Sequence, residues 1–320
     1  MKNIQSVLTL YKNRGETPLE CLERFKKYNP EYNDEKMTYA GRLDPLAEGL
    51  LLVLVGEECK NKEKYLGLDK EYEVDVLFGF ATDTYDLLGK VTNVCHSCEG
   101  RNPCSIKFVM DPCLRRDDTI KILLQSFVGK FSQKYPMYSS KNIKGILKAR
   151  KNGGLTLKRN GVTGKGESLV FSDIEDGIIE KNVEIKSIEL LGERIISKND
   201  LEKYIIDSVN LVKGDFRQKE ILKKWRSVLD GTIRANKGYI KDCKHGVIPA
   251  EAGIQNTFNL DSCLRRNDNT NQFLVISIRV NCTSGTYMRS LANSIGEKVG
   301  IPALALNIKR TRIYENKSNE

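Results

Sequence analysis

The segment best suited to chemistry is Tyr39-Ala40-Gly41-Arg42-Leu43-Asp44-Pro45-Leu46-Ala47-Glu48-Gly49-Leu50. Pro45 biases Asp44 away from helical backbone angles, and Gly41 and Gly49 permit a tight irregular loop. The loop runs into Leu50-Leu51-Leu52-Val53-Leu54-Val55, an apolar run closed by Gly56, which fits a strand buried on both faces. A strand end is a rigid place from which to present a catalytic group. A carboxylate held there can act as a nucleophile or take a proton. It can equally cap a turn, and local physics alone favours the cap.

Other candidates are weaker. Cys95-x-x-Cys98, with His96, Cys104 and Cys113, has zinc-like spacing, but a structural zinc site pairs two such clusters and the sequence holds one. Gly161, Gly164 and Gly166 surround Lys165 without the strand, helix and Lys-Ser or Lys-Thr ending of a phosphate-cradling loop. Lys141, Lys144, Lys148, Arg150 and Lys151 form a basic stretch that suits either a solvated face or contact with RNA phosphates.

The elements that must position these groups are mostly strands. Val7 to Leu10 suits a short strand. Thr17-Pro18-Leu19-Glu20 is a helix start with a Thr cap, Pro at the first position and Glu at the third, and Leu19, Leu22 and Phe25 then fall on one helical face. From 71 to 78 the pattern alternates, with Tyr72, Val74, Val76 and Phe78 on one face and Glu71, Glu73 and Asp75 on the other. Leu274, Ile276, Ile278, Val280 and Cys282 alternate in the same way. Met288, Leu291, Ala292, Ile295 and Val299 then form a helical stripe stopped by Gly300, and Leu304, Leu306 and Ile308 mark a last strand. A further helical stretch with Trp225 spans about 199–229. The expected class is α/β (α+β), with a mixed sheet.

The chain has 320 residues and a net charge of +10, which favours a polyanionic partner. No apolar run is long enough to span a bilayer, and Met1 to Lys12 lacks the pattern of a signal peptide, so the expected place is the cytoplasm, with no membrane partner. The nine cysteines are expected to be reduced there. Met110-Asp111-Pro112-Cys113-Leu114-Arg115-Arg116-Asp117-Asp118 recurs as Leu260-Asp261-Ser262-Cys263-Leu264-Arg265-Arg266-Asn267-Asp268, with six of nine places identical. The flanks do not match, which points to two repeat-derived insertions, at 93–118 and 244–268, in a single domain spanning 1–320.

Four blocks in order resemble those of the TruB-type pseudouridine synthases. The first is the Asp44 segment. The second is Lys70-Glu71-Tyr72 with Leu77-Phe78-Gly79 and Ala81-Thr82-Asp83-Thr84-Tyr85-Asp86-Leu87-Leu88-Gly89. The third runs from Phe131-Ser132-Gln133 to Ser139-Ser140-Lys141. The fourth is Val280-Asn281-Cys282-Thr283-Ser284-Gly285-Thr286-Tyr287-Met288-Arg289-Ser290-Leu291, closing with Lys309-Arg310-Thr311-Arg312. The resemblance implies a central, mostly antiparallel sheet flanked by helices, with an active-site cleft across it. It implies Asp44 as the catalytic aspartate, Arg289 as the arginine that pairs with it, and Tyr72 as a platform that stacks on the target uracil, an interaction worth roughly 1–3 kcal/mol. It further implies substrate contacts from Tyr287, Tyr39, Arg42 and Lys141. The implied substrate is uridine 55 in the T-arm of tRNA, acted on by a monomer with no metal and no cofactor. Tyr39-Ala40 stands where the family usually has a His-Thr pair, and no tail domain of the PUA type is expected after Ile313. Gly41-Arg42-Leu43-Asp44 is also the form found in ribosomal-RNA synthases of the RsuA type, the enzymatic alternative. An RNA-binding protein of the same fold without activity is the other.

Overall fold

The computed structural model describes residues 4–94, 116–134, 138–139, 169–170, 180–231 and 272–314. Among them, β1 (Val7–Lys12) leads into α1 (Pro18–Tyr28). The expected capping box is present: the Thr17 hydroxyl accepts the Glu20 N–H at 3.2 Å, and the Glu20 carboxylate accepts the Thr17 N–H at 2.7 Å. The inward stripe of α1 is rotated from the expected one. Pro18, Cys21 and Leu22 are buried and Leu19 is 59% exposed, because Pro18 and Cys21, three residues apart, take the inner side.

The chain continues through β2 (Met37–Ala40), β3 (Ala47–Val55), α2 (Lys62–Leu66), β4 (Lys70–Phe78), the pair β5 (Phe80–Thr82) and β6 (Val91–Val94), α3 (Arg116–Gln125) and β7 (Gly129–Lys134). The two-residue strands β8 (Tyr138–Ser139) and β9 (Leu169–Val170) pair with each other. A long strand, β10 (Glu180–Ser197), then precedes two helices, α4 (Lys198–Leu211) and α5 (Gln218–Leu229). The described chain ends with β11 (Gln272–Cys282), α6 (Met288–Val299) and β12 (Ala303–Ile313).

Eight of these strands form one sheet in the order β1-β3-β12-β4-β11-β10-β7, with β2 added to β3. The β12–β3 pair is parallel and the other pairs are antiparallel, which gives the expected mixed, mostly antiparallel sheet flanked by helices. The alternating side chains build a core on each face. On one, Tyr72, Val74, Val76 and Ile278 meet Leu123 and Leu124 of α3 and Leu291 and Ile295 of α6. On the other, Leu77, Val275 and Leu304 meet Leu201 and Ile205 of α4 and Ile221 and Trp225 of α5. Burial of one such side chain is worth about 1.5–3 kcal/mol. The expected polar face of β4 holds one exception. Glu71 is only 8% exposed, because β12 brings Thr311 and Tyr314 to its carboxylate at 2.8 and 3.1 Å.

The insertion expected at 244–268 lies outside the described residues, as do the cysteine cluster, the glycine cluster and the basic stretch from Lys141. The one expected at 93–118 lies outside them only between its ends. Val94 is buried opposite Phe80 in the β5–β6 pair, and residues 116–118 open α3. No described helix is long and apolar enough to cross a membrane.

Candidate active site

Asp44 lies in the short loop between β2 and β3, and its two flanking leucines fix it. Leu43 is buried in the core on one face of the sheet and Leu46 in the core on the other, so Asp44 is held between two anchors. The Asp44 carbonyl accepts the Ala47 N–H at 3.0 Å. From behind, the fully buried Lys12 ammonium donates to the carbonyls of Asn13, Pro45 and Ala47 at 3.1, 3.2 and 2.5 Å. The Gly15 N–H also donates to Pro45 O, at 2.9 Å. Burial lowers the Lys12 pKa to about 8, against the pull of Glu16 and Asp44.

The glycines of the motif are there for space as well as for turning. Gly49 has φ +110°, and a Cβ on it would stand 2.2 Å from the carbonyl oxygen of Arg310, so β12 crosses where no side chain fits. Arg310 is itself buried. It donates to Leu50 O at 2.6 Å and Gly41 O at 3.1 Å, which ties the start of the loop and the strand that follows it to β12.

Arg289 reaches the loop from the first turn of α6. Its Nε donates to Asp44 Oδ2 at 2.8 Å and its Nη2 to Oδ1 at 3.2 Å, a side-on pair in which the arginine is 5% exposed and the aspartate 34%. Such two-point contacts fix orientation as well as charge. The remaining Nη1 donates to Thr84 O at 3.0 Å, and Asp86 Oδ2 lies 3.8 Å from Nε. The guanidinium therefore stands between two carboxylates. Burial works against its charge, but Asp44 and Asp86 outweigh burial and hold its pKa above the usual value. Asp86 is buried, which pushes its carboxyl up against the opposing pull of Arg289 and of a 2.5 Å hydrogen bond from the Thr84 hydroxyl. Its Oδ1 also accepts the Leu88 N–H at 3.0 Å. Asp44 is thus the partner left open to solvent, and Asp86 the one sealed behind the arginine.

Tyr72, on β4, is buried beside Arg310 and Cys282, near enough to Asp44 for their charges to interact. Burial raises its phenol above the ordinary value, so the ring is neutral through the physiological range. Cys282 is buried too, and burial raises its thiol to about 11, which leaves no thiolate to compete as a nucleophile. Tyr287, the residue that caps α6, interacts electrostatically with Arg289.

Asp44, Arg289, Tyr72 and Tyr287 therefore come together. Arg42 is exposed on the same loop. Tyr39 is placed elsewhere, packed against Cys21, Leu22, Leu51 and Val53, with the Lys62 ammonium 5.4 Å from its ring. Lys141 lies outside the described residues. Sequence reasoning did not single out Lys12, Thr84, Asp86, Gln133 or Arg310. Their signal was a polar side chain standing inside or beside a matched block, and only the sheet register shows that these are buried. Among the described residues, no three His, Cys, Asp or Glu side chains gather closely enough to hold a metal ion.

Comparison with known proteins gives similarity to one family. Residues 29–166 match the family model of the TruB family pseudouridylate synthase (N terminal domain). The tRNA pseudouridine synthase B of Aquifex aeolicus is 33% identical over 142 residues, which are 44% of this chain and 43% of that protein. That of Borrelia garinii subsp. bavariensis is 35% identical over 139 residues, 43% of each. The chain thus spans less than half the length of these relatives. Among solved structures, a chain of a Cbf5-Nop10-Gar1 complex is similar at a TM-score of 0.43 and 16% identity, over 96% of this chain and 48% of that one.

Proposed function

We propose that this chain, whose residues 29–166 match the TruB family model, is a tRNA pseudouridine synthase that isomerises a uridine of the T-arm, uridine 55, with Asp44 as the catalytic group. The observation that carries the reading is the side-on Asp44–Arg289 pair, with its aspartate open to solvent and a neutral aromatic ring beside it.

The reaction breaks the bond between the ribose C1′ and the uracil N1, turns the base, and forms a bond from C1′ to C5. The hydrogen on C5 leaves as a proton, and N1 ends protonated, so the isomerisation is redox-neutral and needs no cofactor. The carboxylate is the group with an open face at which a bond or a proton can be exchanged. Arg289 aims it. The role given to Tyr72, an uncharged platform for a base drawn out of its stack, requires its buried ring to be uncovered when RNA binds. The net charge of +10 suits a polyanionic substrate. A synthase of tRNA works where tRNA is, in the cytoplasm.

The test is to incubate the purified protein with unmodified tRNA and with ribosomal RNA and to map pseudouridine in each. The expected product is one pseudouridine in the T-arm. Modification of ribosomal RNA alone would favour the RsuA-type alternative, and RNA binding without any product would favour a non-catalytic role.

A further inference from the structure

The helical pair α4–α5 touches both loops that hold the charged centre. On one side it meets the turn behind Asp44. The Arg14 guanidinium lies 4.5 Å from the centre of the Tyr204 ring of α4. Gly15 packs so closely on Leu211 that a Cβ there would stand 2.7 Å from the Leu211 Cβ. This is the turn whose Gly15 N–H bonds to Pro45. On the other side, the pair grips the turn that carries Thr84 and Asp86. The ends of that turn, Asp83 and Lys90, are joined by a hydrogen bond from the Lys90 N–H to Asp83 Oδ1 at 2.8 Å, and each meets an opposite charge from the start of α5. Arg217 Nη1 lies 3.2 Å from Asp83 Oδ2, and Lys90 pairs with Glu220. Trp225, 5.3 Å from Phe80, seats α5 against the strand just before the turn.

Backbone strain falls at the same contact. Two non-glycine residues among the described ones have positive φ, Tyr85 at +60° and Arg217 at +61°. One lies inside the gripped turn, next to Asp86, and the other supplies the grip. Left-handed backbone at a bulky residue persists where its surroundings over-determine it. Glycine adopts that conformation freely and is well accepted as the cap that Arg217 forms for α5, so arginine is not there for the backbone.

We infer that α4–α5 is a brace that sets the Asp44 loop and the Asp86 turn at a fixed separation, with Arg217 as a positioning residue acting through Asp83. The inference rests on the proposed synthase activity. It predicts that the brace governs the chemical step rather than RNA binding or folding, since a displacement of about 1 Å at a reacting group can cost roughly a hundredfold in rate.

The experiment compares wild type, Arg217→Gly, Arg217→Lys, Asp83→Asn and the double variant Arg217→Gly/Asp83→Asn. Each is read by single-turnover pseudouridine formation in tRNA, tRNA affinity and Tm. Arg217→Gly relieves the strained backbone, so its Tm should hold or rise and its affinity should stay within about twofold, while its single-turnover rate falls roughly tenfold or more. Arg217→Lys should recover part of the rate. Asp83→Asn keeps an oxygen for the Lys90 N–H but loses the charge facing Arg217, so it should match Arg217→Gly, and the double variant should be no slower than either single one. Unchanged rates in both single variants, losses that multiply in the double variant, or a rate loss in Arg217→Gly that tracks a fall in Tm would overturn the brace. A wild-type protein that binds tRNA but forms no pseudouridine would overturn the synthase reading, and the positioning role with it.

Discussion

Gln133 holds the main chain of Tyr287 from both directions. Its Nε2 donates to Tyr287 O at 3.0 Å, and its Oε1 accepts the Tyr287 N–H at 2.8 Å. Tyr287 caps α6, and Arg289 follows two residues later. A side chain on β7, 4% exposed, thus sets where the helix that aims Asp44 begins.

Replacing Gln133 with Leu should therefore reach the chemistry. The change removes the Gln133 bond to the Tyr287 N–H, at a cost of about 1–3 kcal/mol, and leaves the Tyr287 carbonyl with the Leu291 N–H of α6. The expected outcome is a lower Tm and a fall in kcat larger than any rise in KM, because α6 loses its fixed start. Single-turnover assays and thermal melts on the same preparations check it. A variant with a reduced Tm and normal kcat would show that the clamp serves folding alone.

Arg289→Lys keeps the charge and loses the two-point geometry. One ammonium cannot serve Asp44 Oδ1, Asp44 Oδ2 and the Thr84 carbonyl as the guanidinium does. A hydrogen bond to a charged group is worth about 1.5–3 kcal/mol, so the rate should fall roughly ten- to a hundredfold. Arg289→Met removes the charge that opposes the raised pKa of buried Asp86 and should destabilise the fold by about 3–5 kcal/mol. Urea titration of the two variants distinguishes lost geometry from lost charge.

Lys12 gives a signature in pH. Burial sets its folded pKa near 8, below the ordinary value of 10.5. Between those values the unfolded chain binds more protons than the folded one, so stability rises with pH in that window. The cost of burying the ammonium is fully present below about pH 8 and fades above it. Lys70, lowered by burial to about 8 as well, adds to the same slope. Urea midpoints measured from about pH 8 to about pH 10, inside this window, should show a shallower rise in Lys12→Met than in wild type. Parallel profiles would place the Lys12 titration elsewhere.

How far the sequence could be read depended on range. The strands around Asp44 and Tyr72 were legible because a proline, two glycines and a period of two act over a few residues, whereas the roles of Asp44 and Tyr72 came from the resemblance of four blocks, local physics alone favouring a turn cap for the one and a core place for the other. Thr17 and Glu20 cap α1 as their spacing requires. Leu19 was misplaced because its stripe is ambiguous by one residue, and packing against β1 and β3 decides it. Glu71, on the expected polar face, is buried because β12 pairs alongside β4, a matter of long-range register. Lys12, Gln133 and Asp86 look like surface residues on their own segments, and only strands from distant parts of the chain cover them. The stretch 199–229 was recognised as helical, but its break at Val212–Arg217 and its contacts with both loops follow from tertiary packing.

Release of hydrogen from C5 of uridine tests the central claim most directly, because forming the C1′–C5 bond expels it. The measurement uses tRNA transcripts tritiated at uracil C5 and compares wild type with Asp44→Asn. Asparagine preserves the shape of Asp44 and can still face Arg289 through one oxygen, so the variant should fold and bind tRNA. The account predicts tritium release by wild type equal to one uridine per tRNA, and none above background by Asp44→Asn. Release by Asp44→Asn at a rate near that of wild type would contradict it.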